Sequence, residues 1–230
     1  MTDLSIDADW ATQYIDGEFV PSESGETIAV EDPSTREIVT EVPAGVEADV
    51  DAAYEAAAEA QESWADQPPA RRAEVIRNLL GLLEEYEAEI TSLLTHEVGG
   101  SPAMGHTSIQ IATDHAGEAA TLPRRMKGET AESNVPGKEN RLYREPKGVV
   151  TVISPWNFPL NLSMRAVAPA IAAGNSVVLK PSTESPITGG LLFAKLFEEA
   201  GLPEGVLNVV VGRGSEIGDR VASHPESDVV

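Results

Sequence analysis

Two kinds of hydrophobic pattern divide this chain. Up to about residue 126 apolar positions recur mostly at helical spacing. After Gly148 they come in short continuous runs. The first part opens with three extended segments, residues 14–20, 27–30 and 37–42. Asp16-Gly17 between apolar neighbours signals a hairpin, and Asp32-Pro33-Ser34-Thr35 signals a turn. A helix is expected over 47–64, with Val50, Ala53, Tyr54, Ala57 and Ala60 on one stripe, ended by Pro68-Pro69. A second is expected over 70–96, where Val75, Leu79, Leu82, Leu83, Tyr86, Ile90, Leu93 and Leu94 keep the same period up to Gly99-Gly100. A third covers 104–120. These stripes read as core packing.

Residues 127–147 are polar and rich in turn formers, with one strand expected over 141–145. From Gly148 the apolar runs 149–154, 176–180 and 206–211 alternate with helical segments at 159–173, 187–200 and 215–223, and Asp228-Val229-Val230 starts a fourth run. Runs without alternation imply burial on both faces, hence a parallel sheet built from strand–helix–strand units. The expected class is α/β, a Rossmann-like open parallel sheet. Ligands of such sheets sit at the carboxyl ends of the strands. The expected organisation is an N-terminal packing region (1–126), an arm (127–147) and a dinucleotide-binding unit (148–230). A sheet that stops on a freshly begun strand reads as incomplete, so a fragment of a longer chain is expected.

Composition narrows the chemistry. The 230 residues carry 38 acids against 16 bases, five of them Lys, for a net charge of −22. Such a field disfavours nucleic acid and anionic membranes as partners. The acids are spread along helical stretches, which suggests a solvated acidic surface adapted to high salt, as in halophiles. No apolar run approaches membrane-span length, and the acidic, polar start (Met1 to Asp7) resembles neither a signal nor a transit peptide, so a cytoplasmic location is expected. There is no cysteine, which excludes disulfides and thiol catalysis from these residues. The four histidines, His96, His106, His115 and His224, lack metal-site spacing and read as surface or helix-end residues; no metal is expected.

Three strand ends carry unusual residues. The first is Ile153-Ser154-Pro155-Trp156-Asn157-Phe158-Pro159, where Asn157 either donates its amide to a developing oxyanion or forms a helix cap or Asx-turn. The second, Lys180-Pro181-Ser182-Thr183-Glu184, puts a Lys at the end of a buried strand, where it either meets ribose or phosphate oxygens or snorkels to the surface. The third, Gly212-Arg213-Gly214-Ser215-Glu216-Ile217-Gly218, either lets phosphate approach backbone N–H groups or is a plain glycine-rich turn; GxGxxxG is not the dinucleotide fingerprint GxGxxG.

In this order and spacing the segments 153–159, 178–182 and 212–218, with Ala200-Gly201-Leu202-Pro203-Glu204-Gly205-Val206-Leu207-Asn208-Val209-Val210 before the last, resemble the aldehyde dehydrogenase superfamily over essentially the whole chain. The resemblance implies NAD(P)-dependent oxidation of an aldehyde to a carboxylic acid. Asn157 matches the oxyanion-stabilising residue. Ile153, Ser154, Pro155 and Trp156 match a loop along the cofactor, and Lys180, with Ser182 and Thr183, the adenosine ribose site. Gly212 and Gly214 match the turn at the adenine and pyrophosphate end. The segment 127–147 matches an oligomerisation arm, so a homo-oligomer is expected of the full-length protein. Many NAD-preferring members carry Glu three residues after the Lys. Thr183 stands there instead, which leaves NADP open beside NAD. The resemblance also implies a Cys nucleophile, hydride transfer to the nicotinamide and a Glu base. No Cys is present, and the Glu falls past residue 230. The expected reading is therefore the cofactor and oxyanion half of an enzyme, inactive alone and poorly soluble at its uncovered sheet edge. The alternative is a non-catalytic dinucleotide-binding or subunit-interaction module, which a genuine stop codon and measurable cofactor affinity would favour.

Overall fold

The computed structural model describes residues 4, 5 and 8–230; the reading of the first seven residues as neither signal nor transit peptide falls largely outside them. The chain begins with a hairpin of β1 (Gln13–Ile15) and β2 (Glu18–Val20). Its two-residue turn puts Asp16 and Gly17 both at positive φ, 51° and 80°, as a primed turn requires. A second hairpin follows, β3 (Thr27–Glu31) and β4 (Ile38–Pro43). Asp32 closes its turn by accepting from the Ser34 and Thr35 amides.

The helical region comprises α1 (Glu47–Ala65), α2 (Pro69–Glu85), α3 (Glu87–Val98), α4 (Pro102–Ala119) and the single turn α5 (Leu122–Arg125). Asp49, in the first turn of α1, reaches back to the Val46 amide at 2.8 Å. Pro69 and Pro102 sit where a helix start needs no N–H. Gly99 ends α3 in the left-handed region at φ 68°.

One expected helix is two: the stretch 70–96 breaks at Tyr86 (φ −97°, ψ 20°). The apolar period runs on through Leu83, Tyr86 and Ile90, all buried, so hydropathy gives no sign of the break. The Tyr86 hydroxyl donates to the Glu199 carboxylate instead.

The arm also differs from expectation. Its strands are β5 (Glu129–Glu132) and β6 (Glu139–Leu142), paired with each other, and Tyr143 to Glu145 lie outside them. Every strand residue here is exposed. With no face to bury, hydrophobic pattern cannot set the register, and the 133–138 turn does.

The last third is α/β: β7 (Val149–Ile153), α6 (Pro159–Ala172), β8 (Ser176–Lys180), a π-turn (Ile187–Leu191) leading into α7 (Leu192–Glu199), β9 (Leu207–Val209) and α8 (Gly214–Ala222). The helix expected over 187–200 thus opens with a turn of wider pitch. Among the described residues the main sheet runs β2-β1-β9-β8-β7, with β7, β8 and β9 parallel and β1 antiparallel to β9. Val229 bridges in parallel to Val150 beyond β7, where a fourth apolar run was expected. The N-terminal hairpin is therefore an edge of the same sheet.

Alternate residues of β8 face two cores. Val177 and Leu179 join the cluster of α2, α3, α4, α6 and α7. Val178 packs with Val50, Tyr54, Val210 and Ile217 beneath α1 and α8. His224, expected at the surface or at a helix end, lies just past the end of α8 and on this second side. It is buried and stacked on Tyr54 with ring centroids 4.0 Å apart. Tyr54 Oη donates to the Val221 carbonyl at 2.7 Å and bonds Thr151 Oγ1 at 2.5 Å.

Candidate functional site

Strand register brings the first two motifs together. Ile153, the last residue of β7, is paired with Lys180, the last of β8, and the Ser154 amide donates to the Lys180 carbonyl at 3.0 Å. The third follows one strand over: the Val210 amide donates to the Leu179 carbonyl at 3.0 Å, two residues before Gly212. All three loops thus leave the same end of the sheet, where ligands of open α/β folds bind.

Lys180 is 6 % exposed. Among the described residues its ammonium has one hydrogen-bond partner, the carbonyl of its own neighbour Pro181 at 3.1 Å. Burial pulls its pKa below the usual lysine value. The snorkelling reading is therefore wrong for this side chain. Its ammonium carries three donors, so with one close acceptor it has room for further oxygen partners.

Asn157 is exposed, and the helix it precedes has no side-chain cap. That removes the capping explanation and leaves the amide free to face a ligand. Ser154 points the other way: its hydroxyl is buried and bonded to Ser163 Oγ at 2.7 Å. Ile153 and Trp156 are 48 % and 61 % exposed.

In the glycine turn the two glycines differ. A Cβ on Gly212 would lie 2.5 Å from Ile217 Cδ1 and 2.9 Å from the Gly45 carbonyl oxygen, so close packing requires that glycine. Gly214, the first residue of α8, has open space around it, and a ligand can approach the helix N-terminus there. Ser182 Oγ accepts from the Glu184 amide at 3.2 Å and shapes the loop after Lys180.

A cleft of about 580 Å³ joins part of these loops to the second hairpin. Trp156, Thr183, Glu184 and Arg213 line one side, residues 28–31 and Arg36 another. Asn157, Lys180 and the two glycines do not line it.

Glu97 does line it, and sequence reasoning missed that residue. Its carboxylate accepts from the Ile187 amide at 2.6 Å, the Thr188 amide at 2.8 Å and the Thr188 hydroxyl. It is 3 % exposed, and burial pushes its carboxyl up to about 7, with the Thr188 and Ile187 hydrogen bonds pulling the other way. A signal existed: Glu97 occupies the next core-facing position after Ile90, Leu93 and Leu94, where an apolar residue is due.

The aldehyde dehydrogenase family model matches residues 19–230. Vanillin dehydrogenase of Corynebacterium glutamicum is 46 % identical over 224 residues, 97 % of this chain and 46 % of that protein. D-glyceraldehyde dehydrogenase (NADP(+)) of Picrophilus torridus is 36 % identical over 94 % of this chain and 44 % of its own length. The crystal structure of an NAD-dependent benzaldehyde dehydrogenase from Corynebacterium glutamicum superposes with a TM-score of 0.93 at 45 % identity, over 97 % of this chain and 49 % of that one. The chain spans about half the length of the curated relatives it matches. With its sheet order, its strand-end motifs and these relatives in agreement, the chain belongs to the aldehyde dehydrogenase family.

Proposed function

We propose that this chain binds NAD, with NADP as the second candidate, and forms the cofactor and oxyanion half of an NAD(P)-dependent aldehyde dehydrogenase. The observation that carries the reading is the buried Lys180 ammonium, held in register with Ile153 and left with a single neighbouring carbonyl. The residues fit the cofactor: Lys180 supplies donors for ribose oxygens, and Gly214 opens a helix N-terminus to phosphate. Ile153, Pro155, Trp156, Ser182, Thr183 and Gly212 shape the loops around it. NAD(P) supplies the hydride acceptor when bound.

The role we assign to Asn157 is donation of its exposed side-chain amide to the oxygen of the reacting aldehyde as negative charge develops. The oxyanion forms only when a nucleophile adds to the aldehyde carbon, and these 230 residues contain no cysteine to do so. The chain alone is therefore expected to bind cofactor without oxidising aldehyde. Relatives named for vanillin and benzaldehyde make an aromatic aldehyde the first substrate for the complete protein.

We also propose residues 148–230 as the dinucleotide-binding unit and 1–126 as the layers packed on it. The exposed β5–β6 hairpin is the proposed assembly surface between copies. Its support is that β5 and β6 pair with each other and bury neither face.

Titration of NAD and NADP into the chain, followed through Trp156 fluorescence, tests the reading. Trp10 and Trp64 are buried and out of reach of added ligand, whereas Trp156 is exposed, so a ligand-dependent change reports on the strand-end loop. Saturable quenching is expected. Absence of any response at millimolar dinucleotide would sink the proposal, and aldehyde turnover above a blank would sink the prediction of inactivity.

A further inference from the structure

We propose that Glu97 is a positioning residue for the dinucleotide site: from α3 it pins the π-turn Ile187–Leu191, and through that turn it sets both strand-end loops, 154–157 and 181–185. The assignment rests on the cofactor reading above for its functional consequence, and on geometry alone for the pinning.

The donors it binds are the first amides of the segment that runs into α7. Helix starts leave such amides without partners inside the helix. A local Ser or Asp would satisfy them and tie the helix only to itself. Glu97 comes from about ninety residues earlier and takes the Ile187 and Thr188 amides and the Thr188 hydroxyl on its two carboxylate oxygens. The π-turn is thereby fixed to α3. All five residues of the turn are buried.

Two routes lead from the turn to the site. On one, Gly190 lies against Pro181 so closely that a Cβ would overlap the proline ring. Pro181 carries the carbonyl that holds the Lys180 ammonium. On the other, the Gly189 carbonyl accepts from Ser163 Oγ at 2.6 Å, and Ser163 is bonded to Ser154 Oγ at 2.7 Å. Ser154 opens the loop that carries Trp156 and Asn157. The turn thus touches the base of both loops, and a buried carboxylate holds the turn. The same carboxylate lines the cleft beside Thr183 and Glu184.

Hydrogen exchange on the 230-residue chain, with and without NAD, tests this. Removing the carboxylate in Glu97→Ala is expected to speed exchange in peptides covering 181–191 and 154–158 by about tenfold or more, with β8 peptides unchanged. NAD affinity should fall by about tenfold. Glu97→Gln keeps one acceptor and should lie between the two on both readouts. Thr188→Val removes a single donor and serves if Glu97→Ala does not fold; a smaller change in the same peptides is expected. Unchanged exchange in both loops of a folded Glu97→Ala overturns the proposal. A uniform rise that includes β8, in Glu97→Ala and Thr188→Val alike, also overturns it by showing a global stability effect. If the loops loosen as expected but wild-type chain shows no response to NAD or NADP, the pinning stands and the dinucleotide reading fails.

Discussion

Gln13 satisfies both main-chain groups of Val211: its Nε2 donates to the Val211 carbonyl at 2.9 Å, and its Oε1 accepts from the Val211 amide at 2.6 Å. The side chain is fully buried. It acts as one more residue of strand pairing after the β1–β9 ladder has ended, and it holds the chain just before the glycine turn. Gln13→Leu would leave the Val211 amide buried and without that partner. A loss of about 2–4 kcal/mol in urea unfolding is expected. A loss under about 0.5 kcal/mol would show that the pair contributes nothing net.

Lys180 invites the opposite result. Its pKa is lowered by burial, so the charged form at neutral pH works against the fold. The stability it withholds returns only as pH rises through the lowered pKa toward the unfolded value. Lys180→Met should therefore raise unfolding stability at pH 7 by about 1 kcal/mol while weakening NAD binding by about tenfold or more. A variant both less stable and unaltered in NAD affinity would make Lys180 a purely structural residue.

Glu97 gives a pH signature. Its folded-state value of about 7 lies above the ordinary 4.5. An acid shifted upward favours the fold fully at low pH and loses that contribution as pH rises through the folded value. Relative to Glu97→Gln, the wild-type chain should lose about 2–3 kcal/mol between pH 4.5 and pH 8. The difference between the two chains cancels the titration of the many other carboxylates. A pH-independent difference would mean that Glu97 stays ionised throughout.

Acid excess shapes local groups as well as the net charge of −22. The Tyr14 phenol is pushed up by burial first and then by the carboxylates of Glu198 and Glu204. Screening shortens the Debye length from about 10 Å at 0.1 M salt to about 3 Å at 1 M. Like-charge repulsion should fade over that range faster than buried contacts weaken. The melting temperature is expected to rise by about 5 °C or more between 0.1 M and 2 M KCl, measured by circular dichroism. A flat or falling curve would remove high-salt adaptation from the account.

Asn157→Ala separates function from folding. Its side chain is exposed and the helix it precedes has no side-chain cap. Unfolding stability should stay within about 0.5 kcal/mol of wild type. In a complete enzyme carrying this region, turnover of an aromatic aldehyde should fall by about 10²–10³-fold. Unimpaired turnover would take the oxyanion role away from Asn157.

Sequence legibility followed burial. The runs at 149–154, 176–180 and 206–211 were readable because both faces are buried, and Val177, Val178 and Leu179 fill cores on opposite sides. The β5–β6 register was not readable, because nothing there is buried. Nor was the break at Tyr86, where the apolar period passes through unbroken. Lys180, Asn157 and the glycine turn were visible as residues out of character for their positions. What the sequence could not show was direction: Ser154 turns inward to Ser163, and His224 stacks beneath Tyr54. Long-range pairing was equally hidden, since no local pattern tells β1 that its neighbour is β9.

That pairing puts a delay into the making of the protein. Gln13 and Val211 are 198 residues apart, and at ribosomal speed that separation takes roughly 10–40 s to synthesise. The helices between them are made of short-range contacts and can form while the chain is still emerging. The first hairpin has to wait, its edge unpaired, until β9 has been made. Throughout that interval it is open to mispairing and to any chaperone that binds exposed strands.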